Sequence, residues 1–260
     1  ESFNHPVLFS HQGKLWGFFT CWNNKTPRTE IFVLSSNESW APLGSPISGF
    51  LPFTPPRKLD DGNWIMSGEL HWFEAAVAIS HGDDFTRWDV VQIPKPETIH
   101  LHFPETTLME QSGALVAICR PRNADTAPAA VSNDRGRTWT PLRLSNFPLA
   151  PSKPLCGKLS NGQQYLITDN LEQGRALLSI AVTTPGGNHF CQIWKLRHQQ
   201  TPKRRLLGSS DGKSKAGSDT EWSYPAAVEH DGKLYVIYTQ GKEDCAMSIV
   251  PLSSLAVRNN

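Results

Sequence analysis

The sequence contains no run of eighteen apolar residues, so no transmembrane helix is expected. It also lacks a surplus of either charge. Twenty-five Lys and Arg stand against 24 Asp and Glu, a formal net of +1, which provides no broad field for nucleic acid or an anionic membrane. Any anion must be bound locally. The one basic cluster, Lys203-Arg204-Arg205, lies in a polar stretch and reads as a solvated loop. Cysteine is scarce and unpatterned. Cys21, Cys119, Cys156, Cys191 and Cys245 form no CxxC and no Cys-His spacing that suggests zinc, and five is an odd count for a disulfide framework. Buried free thiols are the expectation, with no metal and no cofactor. The chain opens at Glu1 without a Met or a charged, apolar leader, as a processed or trimmed form would. Asn24-Lys25-Thr26 and Asn37-Glu38-Ser39 match the glycosylation sequon, a triplet common by chance.

What the chain does contain is turn formers and aromatics: 20 Pro, 19 Gly and nine Trp in 260 residues. Aromatic-rich runs bounded by Gly, Pro, Asn and Asp favour strands over helices, and the length suits one all-β domain. Five segments share a grammar of apolar strand, turn ending in Gly, and second apolar strand: PVLFSHQGKLWGFF, PPRKLDDGNWIM, ETTLMEQSGALVAI, PLCGKLSNGQQYLI and PAAVEHDGKLYVIY. Their turn glycines, Gly13, Gly62, Gly113, Gly162 and Gly232, are separated by 49, 51, 49 and 70 residues. Four-stranded propeller blades run about 40 to 50 residues. A second marker keeps the same register, because Trp40, Trp88, Trp139 and Trp194 follow four of these glycines by 27, 26, 26 and 32 residues. The long last step coincides with a Gly-, Ser- and charge-rich stretch, read as an inserted loop over about 197–221. A β-sandwich would not hold two markers in phase over four units. The expected fold is therefore all-β, a β-propeller of four-stranded antiparallel blades, with about five blades in a single domain over 1–260.

Residues 132–139, SNDRGRTW, are the cleanest of the Trp-ending hairpins, with Asp and Gly supplying the turn and Trp returning to cover it. SSNESW, SHGDDFTRW and TTPGGNHFCQIW are its decayed relatives. The string Ser-x-Asp-x-Gly-x-Thr-Trp resembles the Asp box of the sialidase superfamily, and residues 5–254 resemble its BNR-repeat, sialidase-like branch, a six-bladed family. Three further strings resemble that family's site segments, in its order. FPETTLMEQSGALVAICR carries Glu105 and Arg120, GRALLSIAV carries Arg175, and WSYPAAVEHDGKLYVIYT carries Tyr224. The resemblance implies Tyr224 as nucleophile with Glu105 as its base, and Arg120 and Arg175 as ligands of the substrate carboxylate. It also favours a secreted or periplasmic location.

Those residue types suit a sugar that carries a carboxylate on its anomeric carbon. Planar guanidinium forks grip a carboxylate in bidentate fashion. A carboxylate nucleophile would approach that anionic centre against repulsion, which is why sialidases use Tyr. A phenol with a reference pKa near 10 then needs a base. Arg120 and Arg175 also have a plainer reading as blade-edge residues paired with acids, Tyr224 as a core aromatic, and Glu105 as the start of a strand. His71, His100 and His102 read as ordinary surface or core histidines.

The family's first arginine and its acid/base Asp belong to an N-terminal blade upstream of the segment matched by HPVLFSHQGKLWGFF. Neither Arg28 nor Arg57 sits in a string that matches that arginine, and Asp60 and Asp61 look like turn residues. The expectation is either a fragment of a six-bladed protein or a shortened five-bladed relative. The leading function is a retaining, metal-free, sialidase-like hydrolase acting on a carboxylated sugar at a glycan terminus, weak or inactive in this chain because its general acid is unassigned. One alternative is a non-catalytic carbohydrate-binding propeller, to which Trp16, Trp22, Trp64, Trp72 and Trp222 would offer faces. Another is a polysaccharide lyase acting on uronic acids, with His71 as the residue of interest.

Overall fold

The structure is a computed structural model that describes residues 2–22, 26–35, 38–71, 73–123, 125–169, 175–198, 221–241 and 244–257. It is built from small antiparallel sheets, each made of strands consecutive in sequence. The first is β1 (Ser2–His11), β2 (Lys14–Trp22), β3 (Arg28–Leu34) and β4 (Trp40–Ser48), in that order. In the second, β5 (Phe50–Pro52) and β6 (Arg57–Lys58) both pair with β7 (Trp64–Leu70), followed by β8 (Glu74–His81) and β9 (Asp84–Gln92). The third comprises β10 (Thr107–Gln111), β11 (Ala114–Ile118), β12 (Asp125–Ser132) and β13 (Arg143–Leu149). The fourth comprises β14 (Leu155–Lys158), β15 (Gln164–Asp169), β16 (Leu177–Thr183) and β17 (Phe190–His198). Among the described residues the fifth has three strands, β18 (Trp222–His230), β19 (Lys233–Gln240) and β20 (Asp244–Pro251), and a 3-10 turn at Leu252–Leu255 follows. No helix of the described residues is long and apolar enough to cross a membrane.

The five turn glycines occupy equivalent places, each in the turn that leads into the second strand of its sheet, β2, β7, β11, β15 or β19. Two turn types fill that place. Ser112-Gly113 is a two-residue turn with both φ positive, 50° and 84°, and its twist matches that of the strands it joins. Gln12-Gly13 and Asp231-Gly232 share this geometry. The turns at Gly62 and Gly162 are longer, and both close with the same pair of bonds: Leu59 and Asn63, or Leu159 and Gln163, bracket a glycine N–H donated to the leucine carbonyl.

The chain divides into two compact units, one formed by Glu1–Leu108, Gly113–Arg122 and Pro128–Leu144, the other by Met109–Ser112, Asn123–Ala127 and Ser145–Asn260. In the first, β7 and β8 bury residues on both sheet faces because side chains alternate along a strand. Met66, Ala76 and Ala78 join Phe18, Ile31 and Ile47 of the first sheet. Their sequence neighbours Ile65, Ala75, Val77 and Ile79 join Leu115, Ala117 and Trp139 of the third. The near-continuous apolar run of β8 is the mark of a strand covered on both sides. In the second unit Tyr165, Ile167, Leu178 and Ile180 pack with Leu234, Val236 and Tyr238.

SNDRGRTW forms the β12–β13 hairpin and shows why its order is fixed. Asp134 accepts the Ser132 hydroxyl at 2.8 Å, the Thr138 N–H at 2.8 Å and the Thr138 hydroxyl at 2.6 Å. These bonds, the Thr138 hydroxyl first, hold its carboxyl at about 2. The Trp139 indole N–H donates to the Gly136 carbonyl at 2.9 Å. In the β8–β9 hairpin Asp84 likewise accepts the Thr86 N–H and hydroxyl, and the Trp88 indole donates to the Phe85 carbonyl at 2.6 Å. Trp139 and Trp88 thus reach back three residues in both. Trp40, by contrast, is 40% exposed at the head of β4, and Trp194 lies within β17, partly buried against the core.

Cys21, Cys119 and Cys156 are buried free thiols, but Cys191 and Cys245 are exposed, because their strands alternate exposed and half-covered residues. That corrects the expectation for two of the five. The inserted stretch from 199 to 220, the Lys203–Arg205 cluster, Trp72 and both sequon asparagines lie outside the described residues.

Candidate functional site

The register of the repeat locates the chemically interesting residues. Seven residues after each turn glycine stand Thr20, Glu69, Arg120, Asp169 and Thr239, polar positions at or just beyond the end of apolar second strands. Eight residues before each glycine stand His5, Thr54, Glu105, Pro154 and Tyr224. Three of this second set, His5, Glu105 and Tyr224, have positive φ, at 47°, 38° and 57°. For a bulky L-residue that conformation is strained, and it persists only where the surroundings enforce it. In β1 and β18 the strain coincides with a break in pairing, between Asn4 and Val7 and between Ser223 and Ala226. Glu105 and Tyr224 therefore share one position in the repeat.

In the first unit Glu105 and Arg120 form an ion pair at 2.9 Å, with side chains 3% and 13% exposed. The Arg120 N–H donates to the Pro104 carbonyl at 2.7 Å, which fixes the strand end against the strained residue. Arg120 Nε is buried and has no hydrogen-bond partner among the described residues. Behind the pair sits Glu69, itself 3% exposed. Burial pushes its carboxyl up to about 8; the Glu105 backbone N–H and the Arg120 charge oppose this, and the Glu105 charge adds to it. Its Oε2 has no hydrogen-bond partner among the described residues. Cys119 is held near 12 by burial and is chemically inert there.

In the second unit Arg175 pairs with Glu221 at 2.5 Å, donates to the Pro151 carbonyl at 3.1 Å, and lies 5.2 Å from the centre of the Tyr224 ring. The Ser223 hydroxyl donates to the same Glu221 oxygen at 2.7 Å. Burial works against the Arg175 charge, but Glu221, Tyr224 and Asp169 together more than offset it and the guanidinium is held above its ordinary range. Asp169 is fully buried nearby, and neither carboxylate oxygen has a hydrogen-bond partner among the described residues. Burial raises it to about 7, with the Ser152 hydroxyl and Arg175 opposing and Glu221 adding.

The structure thus brings Glu105 together with Arg120, and Arg175 together with Tyr224. Glu69, Asp169 and Glu221 were not singled out by motif. The offset of seven from the turn glycine would have flagged the first two. Glu221 carries no such signal, since it lies 46 residues from its partner. Arg28 is engaged with Glu30 at 2.5 Å, and Arg57 donates to the Leu108 carbonyl at 2.9 Å. Asp60 and Asp61 are turn residues, and they pair with Arg135 and Arg137 of the Asp box. His71 packs its ring 5.3 Å from Trp22, His102 packs 4.7 Å from Phe73, and His100 is exposed. Trp64 and Trp222 are buried in the cores, while Trp16 and Trp22 are half-buried.

Successive four-stranded antiparallel sheets with a recurrent Asp box define a β-propeller of the BNR-repeat kind. The chain belongs to the BNR repeat-like domain family, whose model matches residues 1–236. No curated protein matches it. Among solved structures it is similar to a protein of unknown function from Dyadobacter fermentans, with 16% identity and a TM-score of 0.65 over 95% of this chain and 75% of that one. It is also similar to the Hadza microbial sialidase Hz136, with 13% identity and a TM-score of 0.68 over 97% of this chain and 53% of that one. Trypanosoma rangeli sialidase in complex with the inhibitor DANA gives 13% identity and a TM-score of 0.64 over 97% of this chain and 46% of that one. The chain therefore spans about half the length of these two sialidases. Other structures of the Trypanosoma enzyme hold sialic acid, or 2,3-difluorosialic acid as a covalent intermediate. At these identities the likeness establishes the fold, a sialidase-like β-propeller.

Proposed function

We propose that the chain is a sialidase-like glycoside hydrolase module that binds a carboxylated sugar at a glycan terminus through Arg120 and Arg175, with Tyr224 as nucleophile and Glu105 as its base. The observation that carries this reading is the shared repeat position of Glu105 and Tyr224, each on strained positive-φ backbone beside an arginine. The covalent difluorosialic acid intermediate of the Trypanosoma sialidase supports a retaining course. In that course the Tyr224 oxygen attacks the anomeric carbon as the aglycone leaves, its proton passing to Glu105, and water then cleaves the tyrosyl–sugar bond. The arginine forks hold the substrate carboxylate throughout.

Departure of the aglycone is a separate requirement. General acid assistance is worth about 10² to 10⁴ in rate, and no residue of the sequence is assigned to it by a matching string. Slow turnover with retained carboxylate binding is the expectation. The test is release of an aryl aglycone from an aryl sialoside, with calorimetry of free sialic acid alongside. Tyr224→Phe should abolish release and keep binding, whereas Arg120→Ala and Arg175→Ala should each weaken binding. Binding unchanged by both arginine substitutions would sink the proposal. Binding without any release would leave the carbohydrate-binding reading, which the existing pairing of both arginines with Glu105 and Glu221 also supports.

A further inference from the structure

We propose that the second unit holds a further anion site, built around Arg197, that takes the carboxylate or sulfate of an acidic sugar. Arg197 owes its direction to an irregularity in β17. Lys195 pairs with Ser179 but Arg197 pairs with Leu178, so Leu196 is an extra residue in the ladder. A bulge of this kind shifts the alternation beyond it and re-aims the side chain that follows. Trp194, opposite Ile180, packs on the core that contains Leu178, Trp222 and Tyr238, and the bulge brings Arg197 round to that same face. Without it the guanidinium would point away from the core.

There Arg197 is held in place without a counter-ion. Its Nε donates to the Tyr238 hydroxyl at 2.5 Å, that oxygen shares a 2.8 Å bond with Ser248 Oγ, and Tyr238 is 1% exposed. The guanidinium lies 5.9 Å from the centre of the Trp222 ring and 5.6 Å from that of the Tyr238 ring. Among the described residues its two terminal nitrogens donate to nothing and no carboxylate pairs with it. An arginine turned onto a core face ordinarily has an acid beside it, as Arg120 and Arg175 both do. Arg197 instead lines a cleft of about 450 Å³ with Lys195, His198, Trp222 and Gln240, and among the described residues no acid lines it. That volume lies within the span of small-molecule sites, about 300 to 1,000 Å³, so a sugar ring fits. A guanidinium fixed at Nε and stacked on aromatic rings, with Lys195 exposed beside it, is prepared to grip an oxyanion through its free nitrogens. That the oxyanion is carried on a sugar rests on the carbohydrate reading above; the oxyanion itself does not.

The experiment is calorimetric titration of the wild-type chain with glucuronate and with glucose 6-sulfate, glucose serving as the neutral control. At least one anion should bind, and the tighter of the two names the oxyanion. Glucose should bind at least about tenfold more weakly, the worth of a charge-assisted hydrogen bond. Arg197→Ala should cost the same factor or more, and Arg197→Lys, which keeps the charge but not the fork, should fall between. Lys195→Ala should cost about two- to fivefold, as an exposed charge contributes. If the alanine variant of Arg197 does not fold, Arg197→Lys and Lys195→Ala carry the test, since neither empties the core face. Binding lost with Arg120→Ala or Arg175→Ala, and unchanged by Arg197→Lys and Lys195→Ala, would place the anion at the site proposed above and overturn the inference. Binding lost only with the Arg197 and Lys195 variants sustains it and counts against that other site. Two ligands bound, one removed by each group of variants, sustains both. Glucose bound as tightly as the anions, or neither anion bound, overturns it.

Discussion

Replacing Glu105 with Ala should cost far more stability than a surface substitution, and the structure says how much and why. The Glu105–Arg120 pair is 2.9 Å long and nearly closed to water. Removing one partner of a buried pair leaves an uncompensated charge, a loss of about 3 to 5 kcal/mol. Glu69 lies close enough to soften it, because without the Glu105 charge its own carboxyl ionises more readily and lends Arg120 a counter-charge. A loss near the lower limit, about 3 kcal/mol, is expected at pH 7. The backbone adds a second, separable effect. Glu105 sits at φ 38°, where an L-residue is disfavoured by about 1 to 2 kcal/mol and glycine is not. Glycine offsets part of that gain through its freer unfolded chain, by about 0.5 to 1 kcal/mol. Glu105→Gly should therefore be more stable than Glu105→Ala by up to about 1.5 kcal/mol, the reverse of the usual order in a strand. Urea unfolding with an unchanged m-value provides the measurement. An alanine variant within 1 kcal/mol of wild type would refute the buried pair, and a glycine variant less stable than alanine would refute the strained backbone.

Other outcomes follow from the same contacts. Over pH 4.5 to 8 the unfolded chain releases the Glu69 proton that the folded chain keeps, so wild-type stability should fall as pH rises, by up to about 1.4 kcal/mol per unit from this group, and level off above about 8; a Glu69→Gln variant whose stability falls as steeply over this range would contradict the assignment. Gly136→Ala should cost about 2 to 4 kcal/mol, because Gly136 has φ 87° and a Cβ there would stand 2.6 Å from Ile65 Cδ1. In an Ile65→Val background, which lacks that methyl, the penalty measured by thermal unfolding should shrink by about 1 kcal/mol. Gly68→Ala offers no such relief, since its Cβ would meet the Leu51 carbonyl oxygen at 2.1 Å. It should unfold the first unit or lower its melting temperature by many degrees, and a near-normal melt would show that β5 can move.

The repeat and its turns were legible in the sequence because both are local. A turn glycine needs its own φ and nothing else, and strand periodicity needs only the alternation of a few side chains. The same locality made the Asp box readable, since Ser132, Asp134, Gly136, Thr138 and Trp139 bond almost wholly among themselves. Glu105 and Arg120 could be named together because they flank one hairpin, fifteen residues apart. What only the tertiary structure decided is everything that depends on exclusion of water or on a partner from another part of the chain. Glu69 and Asp169 are ordinary acids in the sequence and become hard to ionise, up to about 8 and about 7, only because packed strands remove their solvent. Glu221 reaches Arg175 across 46 residues, and Asp60 meets Arg135 across 75. Such pairings are set by which strand ends and turns the sheets bring side by side, and no spacing within a hairpin encodes them.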